Sequence, residues 1–180
     1  MDNPLDDKLE RIYRAIGRLV SNFAQLEQML NSNLFILHRK HGGDTVAPEM
    51  RIELRQKLTF LRRAVDMADV TQIGREFALG IADEIAELAE TRHICIHRAL
   101  YFTDLDDDDP LGASFDHFIL GEHSRVRKNS HLFVGDIEKA ADQAWSLTTK
   151  LVGLHGILDH SLAEKVKETL RELQGSSFPF

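Results

Sequence analysis

The chain has 180 residues, of which 43% are hydrophobic and 28% charged, as in a soluble globular protein with one sizeable core. Its net charge of −7 argues against charge-driven binding along a nucleic-acid backbone, but it does not exclude a local basic site. No apolar run approaches the roughly 20 residues of a membrane span. The acidic N-terminus lacks a secretory signal, and the single Cys95 excludes an intrachain disulfide. We therefore expect a cytoplasmic protein without a membrane partner.

A long first helix is predicted over about residues 5–41. Its apolar residues recur at spacings of three and four, which keeps them on one helical face. The members of this stripe are Ile12, Ile16, Leu19, Phe23, Leu26, Leu30, Leu34 and Leu37. Gly42 and Gly43 are expected to stop the helix. Roughly 36 residues at about 1.5 Å each reach about 54 Å, more than one small domain needs, so part of this helix should pack against a partner chain.

Two more helices are predicted next. Pro48 is well placed to open the second, over about 48–69, with an apolar face that includes Ile52. Thr71 can cap the third, which should end near residue 99. The apolar stripe of the third helix consists of Phe77, Ile81, Ile85 and Leu88, followed by Arg92. An arginine on such a stripe costs free energy unless it is paired or faces a cavity or interface.

A small antiparallel insertion is predicted after the third helix. Residues 99–103, 115–120 and 131–134 have the composition of short strands, and 104–112 form an acidic turn between the first two. The run of aspartates in this turn lacks the ligand spacing of a calcium loop, which favours a solvated hairpin tip.

The C-terminal part is predicted to be helical. A fourth helix begins near Asp136, whose charge suits the helix dipole. Trp145 is placed on its apolar face, and Gly156 is expected to break or bend it. A last helix is predicted over 162–173. The expected fold is thus mainly α, a four- to five-helix bundle with a long first helix and a small β insertion between helices 3 and 4. It would be a single domain over 1–175 with a flexible tail at 176–180.

Arg92 and His97 form an R-x4-H pattern near the end of the third helix, with the polar His93 after the arginine. This pattern resembles that of the HEPN superfamily, helical bundles of which many members are metal-independent ribonucleases. The resemblance implies that Arg92 and His97 are the catalytic pair of an endoribonuclease and that His93 supports the site. It also implies a product with a 2′,3′-cyclic phosphate, no cofactor, and a toxin–antitoxin or phage-defence setting with an antitoxin protein as partner.

The two residue types suit this chemistry. RNA cleavage without metal uses the ribose 2′-hydroxyl as nucleophile and needs an acid or base that titrates near neutrality, as histidine does. Arginine remains protonated and binds phosphate oxygens with two donors. Positions five apart in a helix point about 140° apart, so Arg92 and His97 are not expected to converge within one helix. Two copies across a two-fold axis would supply both pairs to one cleft, which is the homodimer that the resemblance implies.

Other residues are predicted to assist, and several alternatives stay open. Glu27 could orient a site residue, and RNA could contact Arg98 and the basic cluster of Arg125, Arg127 and Lys128. This cluster, and a second one made of Arg51, Arg55, Lys57, Arg62 and Arg63, could equally be solvated faces.

Arg92 could instead pair with Glu27 for structural reasons alone. Glu90, His93 and His97 share a helical face and could bind a metal with another ligand. Cys95, flanked by isoleucines, is expected to be a buried thiol and not a nucleophile. The alternative function is a non-catalytic helical dimer that binds a nucleotide, RNA or a protein partner.

Overall fold

The computed structural model describes residues 4–50, 52–97, 99–101, 112–120 and 125–159. Its elements, in chain order, are α1 (Pro4–Lys40), α2 (Gly43–Val46), α3 (Leu54–Met67), α4 (Gln72–His97), β1 (Ala99–Tyr101), β2 (Gly112–Leu120), β3 (Arg125–Phe133) and α5 (Val134–Leu158). The predicted mainly helical fold with a small β insertion is therefore confirmed. The insertion lies between α4 and α5, which correspond to the third and fourth predicted helices because the short α2 was not predicted.

Some predictions fall outside the described residues. These are most of the acidic turn, the last helix over 162–173 and the tail at 176–180. In the part of the chain that the structure describes, no helix is long and apolar enough to cross a membrane.

The predicted long N-terminal helix is confirmed as α1, which has 37 residues. Its apolar stripe is almost fully buried: Ile12, Leu19, Phe23, Leu26, Leu30, Leu34 and Leu37 are each at most 1% exposed. Gly42 then adopts the left-handed conformation, with φ of 71°, which glycine reaches without a steric penalty. The glycine pair thus ends α1 as predicted.

The second predicted helix begins later than Pro48. Helix α3 starts at Leu54, and Glu53, in extended conformation, is its N-cap. Ile52, which was placed on the buried face, is 87% exposed. Proline is compatible with the first position of a helix but does not itself cause a helix to form. Because Ile52 is not buried, no packing stabilises a helix in the segment before Leu54. Leu58, Leu61 and Val65 are buried as predicted.

Gly43 lies where the end of α1 meets α3. A Cβ atom at this position would lie 2.8 Å from the Leu37 carbonyl oxygen and 2.8 Å from the Phe60 ring. Only a residue without a side chain therefore allows this close approach.

We expect Gly43→Ala to destabilise the protein by about 1–3 kcal/mol, because the added methyl group overpacks a site bounded partly by backbone. Gly80→Ala is the matched control: Gly80 lies in α4, and an added Cβ there meets nothing within 4 Å. This control should be neutral or stabilising by up to about 1 kcal/mol, from helix propensity. Urea denaturation measures both. Equal free energies of unfolding for the two variants would contradict the close approach.

The predicted insertion is a three-stranded antiparallel sheet in the order β1-β2-β3. Phe115 pairs with Leu100 on β1 and with Ser130 on β3, and it is fully buried. Strands β2 and β3 begin earlier than predicted, at Gly112 and Arg125. Val134 starts α5 and does not belong to the third strand.

Helix α5 corrects two expectations. Trp145 is 55% exposed and is not a core residue, whereas Ala141, Ala144 and Leu147 are fully buried. The reason is that Trp145 follows Ala144 by one position, which rotates it about 100° away from the buried face. Gly156 does not break the helix, which continues to Leu158.

The chain forms two compact units, and α1, α4 and α5 each contribute to both. The first unit contains the described residues of Met1–Gln28 and Asp83–Thr148. In this unit α1 and α5 run in the same direction, because Arg11 binds Glu138 through two hydrogen bonds of 3.1 and 3.0 Å and Arg18 pairs with Asp142 further along both helices. The Arg11 guanidinium lowers the pKa of the Glu138 carboxyl by this hydrogen bond.

The second unit contains the described residues of Met29–Ala82 and Thr149–Phe180. Asn33 is fully buried, and its amide donates to the carbonyl oxygens of Met29 at 3.1 Å and Leu151 at 2.9 Å. The ring of His41 contacts the Leu158 carbonyl oxygen at 2.8 Å. These polar contacts fix the pairing of α1 with α5 in this unit, because a buried amide without partners would cost about 1–3 kcal/mol.

Candidate functional site

Helix α4 positions the predicted site at its C-terminal end. The Thr71 hydroxyl accepts a hydrogen bond of 3.1 Å from the Gly74 amide, which caps the helix start as predicted. The stripe of Ile81, Ile85 and Leu88 is buried, and half-buried Arg92 follows one turn later. The helix ends at His97. The packing of α4 therefore fixes where Arg92 lies along the core.

Arg92 is accommodated on the apolar stripe by an aromatic ring of α1. The guanidinium carbon lies 5.4 Å from the centroid of the Phe23 ring, and Phe23 is only 1% exposed. A guanidinium over an aromatic face gains a cation–π attraction while its aliphatic stem stays in apolar surroundings. The Arg92 Nε atom is buried and has no hydrogen-bond partner among the described residues. The Phe23 ring therefore stabilises the Arg92 charge on one side, and the two outer nitrogens of the guanidinium are left to contact other groups.

Arg92 and His97 do converge within one chain, contrary to the expectation from ideal helix geometry. The Arg92 Nη1 atom lies 3.4 Å from the His97 Nε2 atom. The arginine side chain is long and flexible, and His97 is the last residue of α4, so the angle between helical positions does not decide where the two end groups meet. The geometric reason for requiring two copies of the chain therefore falls away.

His93 belongs to the same group of side chains. Its ring centroid lies 4.9 Å from that of His97, with the two planes inclined by 45°. Positions four apart are neighbours on a helix surface, which explains the contact. Both histidines are exposed. A fixed cation and two solvent-accessible imidazoles thus lie together at one helix end.

The contact between Arg92 and His97 restricts the state of the imidazole. A guanidinium has only donors, so the contact is a hydrogen bond only when Nε2 carries a lone pair and the ring proton is on Nδ1. In that tautomer Nε2 holds the one lone pair of the ring, which can take up a proton from a neighbouring hydroxyl when the Arg92 donor turns to another acceptor, and this is the action of a general base.

Glu27 is half-buried on α1, one helical turn after Phe23. Among the described residues the Arg92 guanidinium forms no ion pair with a carboxylate, and its contacts are the Phe23 ring and His97. The structural alternative, an Arg92–Glu27 pair, is therefore not present. A supporting role for Glu27 stays a prediction.

The residues predicted to bind RNA are placed only through the backbone. Arg98 lies outside the described residues. On β3, Arg125 pairs with Leu120, Arg127 with Phe118 and Lys128 with His117.

The alternative metal site at the end of α4 lacks a ligand set in the described ranges. No group of three or more His, Cys, Asp or Glu side chains there is placed to hold a metal ion. His93 and His97 lie together, but Glu90 does not join them in a group of three ligands.

Cys95, which lies between His93 and His97 in the sequence, is buried, as expected for a structural thiol, and burial raises its pKa from 9.0 to about 11. Because the folded state holds the thiol protonated, the stability it contributes is complete below about pH 9 and declines as the pH rises towards 11.

We expect Cys95 in the native protein to react with a disulfide reagent at pH 8 at least about 100-fold more slowly than in the unfolded chain, since two pKa units leave about 100-fold less thiolate. The same protein in guanidinium chloride is the control. Equal rates in the two conditions would mean that the thiol is accessible and ionised in the folded state.

Phe23 is the site residue that the sequence did not reveal, because it looks like any other member of the apolar stripe of α1.

The chain matches no protein-family model, no curated protein and no solved structure. What the site can do follows from its own groups: one guanidinium to bind an anionic oxygen, and two imidazoles to move protons.

Proposed function

We propose that the protein is a metal-independent endoribonuclease of the HEPN type, acting through Arg92 and His97. The observation that carries the proposal is the 3.4 Å approach of the Arg92 guanidinium to the His97 imidazole at the exposed end of α4. Arg92 binds the scissile phosphate and stabilises the charge that develops on it. His97 takes the proton of the ribose 2′-hydroxyl, which then attacks the phosphorus and releases the 5′-oxygen of the next nucleotide.

His93 supplies a second proton-transfer group beside the first. When the 5′-oxygen leaves it must gain a proton, and one imidazole cannot accept and donate in the same step unless the proton it takes is passed on. A second imidazole with its centroid 4.9 Å from the first fits this need. The product is an RNA fragment with a 2′,3′-cyclic phosphate, and no metal takes part.

Cleavage of a mixed RNA by the purified protein in excess chelator tests the proposal. We expect shortened fragments whose 3′ ends resist a phosphatase until acid opens the cyclic phosphate. Arg14→Ala serves as the unaffected control, because Arg14 is an exposed residue of α1 paired with Glu10. RNA that stays intact, or cleavage that chelator abolishes, would contradict the proposal.

A homodimer with both pairs in one cleft is the second part of the proposal. It rests on the likeness of the Arg92–His97 motif to the HEPN pattern, because the apolar stripe of the 37-residue α1 is already buried within one chain and does not itself require a partner. Size-exclusion chromatography with light scattering should give twice the chain mass. Mixing wild-type protein with an excess of the double variant Arg92→Ala/His97→Ala should then suppress activity nearly completely. Activity that stays proportional to the wild-type chains would show that each chain acts alone, and would leave the ribonuclease proposal intact.

The proposed setting is a toxin–antitoxin or phage-defence module, with an antitoxin protein that holds the ribonuclease inactive. The proposal rests on the likeness of the Arg92–His97 motif to the HEPN pattern. Expression of the wild-type chain alone in bacteria should arrest growth, and Arg92→Ala should relieve the arrest. Equal growth with both chains would argue against a toxin role.

A further inference from the structure

A cleft of about 470 Å³ lies in the second unit, where the segment after α2 passes α3. Its lining residues are Val46, Ala47, Glu53, Arg55, Gln56, Thr59, Phe60 and Arg63. This volume lies within the range of about 300–1,000 Å³ that small-molecule sites occupy. The cleft contains none of the residues of the proposed ribonuclease site.

One wall of the cleft is a basic stripe of α3. Arg55, Thr59 and Arg63 follow one another at intervals of four, so they share one helical face, and all three are exposed. Neither the Arg55 nor the Arg63 guanidinium forms an ion pair with a carboxylate of the described residues. The lining thus carries two arginines and one glutamate, a positive balance in a chain whose net charge is −7.

The start of α3 adds donors beside this stripe. Glu53 is the N-cap, and its side chain makes no capping hydrogen bond. The first backbone amide to bond within the chain here is that of Lys57, which donates to the Glu53 carbonyl oxygen at 2.9 Å. The backbone amides of residues 54–56 have no carbonyl partner within the helix and are directed beyond its N-terminal end, where the helix dipole favours an anion. Together with Arg55, this end of the cleft is suited to a phosphate group.

The rest of the lining suits a ring compound attached to that phosphate. Val46, Ala47 and the ring of Phe60 form an apolar floor. Phe60 is 5% exposed and contacts the His38 ring, with centroids 6.2 Å apart, so the floor is packed. Glu53 and Gln56 add an acceptor and an amide that can bind ring or sugar hydroxyl groups.

We propose that this cleft binds a small phosphomonoester that carries a polar ring, such as a nucleoside monophosphate. Arg55 at the helix start binds the phosphate oxygens with two donors, Arg63 two turns further along the same face adds positive charge to the cleft, and Phe60 contacts the ring. This site is separate from the ribonuclease proposal and does not depend on it.

Titration calorimetry with the full chain tests the site, with AMP, inorganic phosphate and adenosine as probes. We expect saturable binding of AMP, weaker binding of phosphate, and the weakest binding of adenosine, because the charge-assisted hydrogen bonds to phosphate contribute most of the affinity. Binding of adenosine as tight as that of AMP would overturn the proposal, and so would AMP binding no tighter than that of phosphate. Protein that binds an RNA oligonucleotide but none of the three probes would also overturn it.

Substitutions of opposite charge at the exposed Thr59 test most directly whether phosphate binds in this cleft. Thr59→Glu places a carboxylate between Arg55 and Arg63 and should weaken AMP binding at least about tenfold, whereas Thr59→Lys should keep or tighten it. Arg55→Gln should weaken it by about tenfold or more. Arg14→Gln in the first unit removes the same charge and should leave the affinity unchanged. Equal affinity of Thr59→Glu and Thr59→Lys for AMP would show that the phosphate is not bound here.

Discussion

His97→Ala is expected to lower the rate of RNA cleavage by about 10²- to 10⁴-fold, and Arg92→Ala by at least about 10²-fold. The first figure is the usual contribution of a positioned acid or base, and the second is that of one group which stabilises transition-state charge. The measurement is the initial rate on a fluorescent RNA oligonucleotide in chelator, with circular dichroism as the check of folding.

The two losses should differ in character. Arg92→Lys keeps the positive charge but loses the planar fork that binds two phosphate oxygens, so its activity should fall between those of the wild type and Arg92→Ala. No lysine can replace the proton transfer of an imidazole, so His97→Lys should be as inactive as His97→Ala. If either alanine variant keeps full activity while Arg14→Ala does too, the Arg92–His97 pair is not the catalytic site, whatever activity the protein has.

Phe23→Ala is expected to destabilise the protein by about 3–5 kcal/mol, since it removes a fully packed ring from the core. Phe35→Ala is a closely matched control: Phe35 is also on α1 and also lies under an arginine, with the Arg39 guanidinium 5.8 Å from its ring centroid. Phe35 is 54% exposed, however, while Phe23 is 1% exposed. Its replacement should change the stability by less than about 0.5 kcal/mol. Urea denaturation with a common slope measures both.

Phe23→Leu separates the packing role of this ring from its role under Arg92. A leucine fills most of the space and should cost less than about 1.5 kcal/mol. It has no aromatic face, so Arg92 loses its cation–π support and the cleavage rate should fall although the protein stays folded. A cleavage rate equal to that of the wild type would mean that the ring serves only the core. Equal destabilisation by Phe23→Ala and Phe35→Ala would contradict the burial of Phe23.

The boundaries of the helices divide into those that local chemistry fixes and those that it does not. Gly42 and Thr71 were correct signals, because a left-handed glycine and a capping hydroxyl act within one turn of the chain. The helix start predicted at Pro48 is wrong, because proline only permits a helix to begin, and whether one forms depends on the burial of its apolar side chains. Ile52 is exposed and packs against no other described part of the chain, so the helix begins only at Leu54.

The site shows the same division. The sequence by itself determined that Arg92 lies on the apolar stripe of α4 and that His93 and His97 share its last turns, since both statements follow from the helical period. Only the tertiary structure decided that Phe23 of α1 lies under the guanidinium and that Arg92 reaches His97. The period of a helix fixes the directions in which side chains leave the backbone. Where the end of a long side chain comes to lie depends on the neighbouring helix that packs against it.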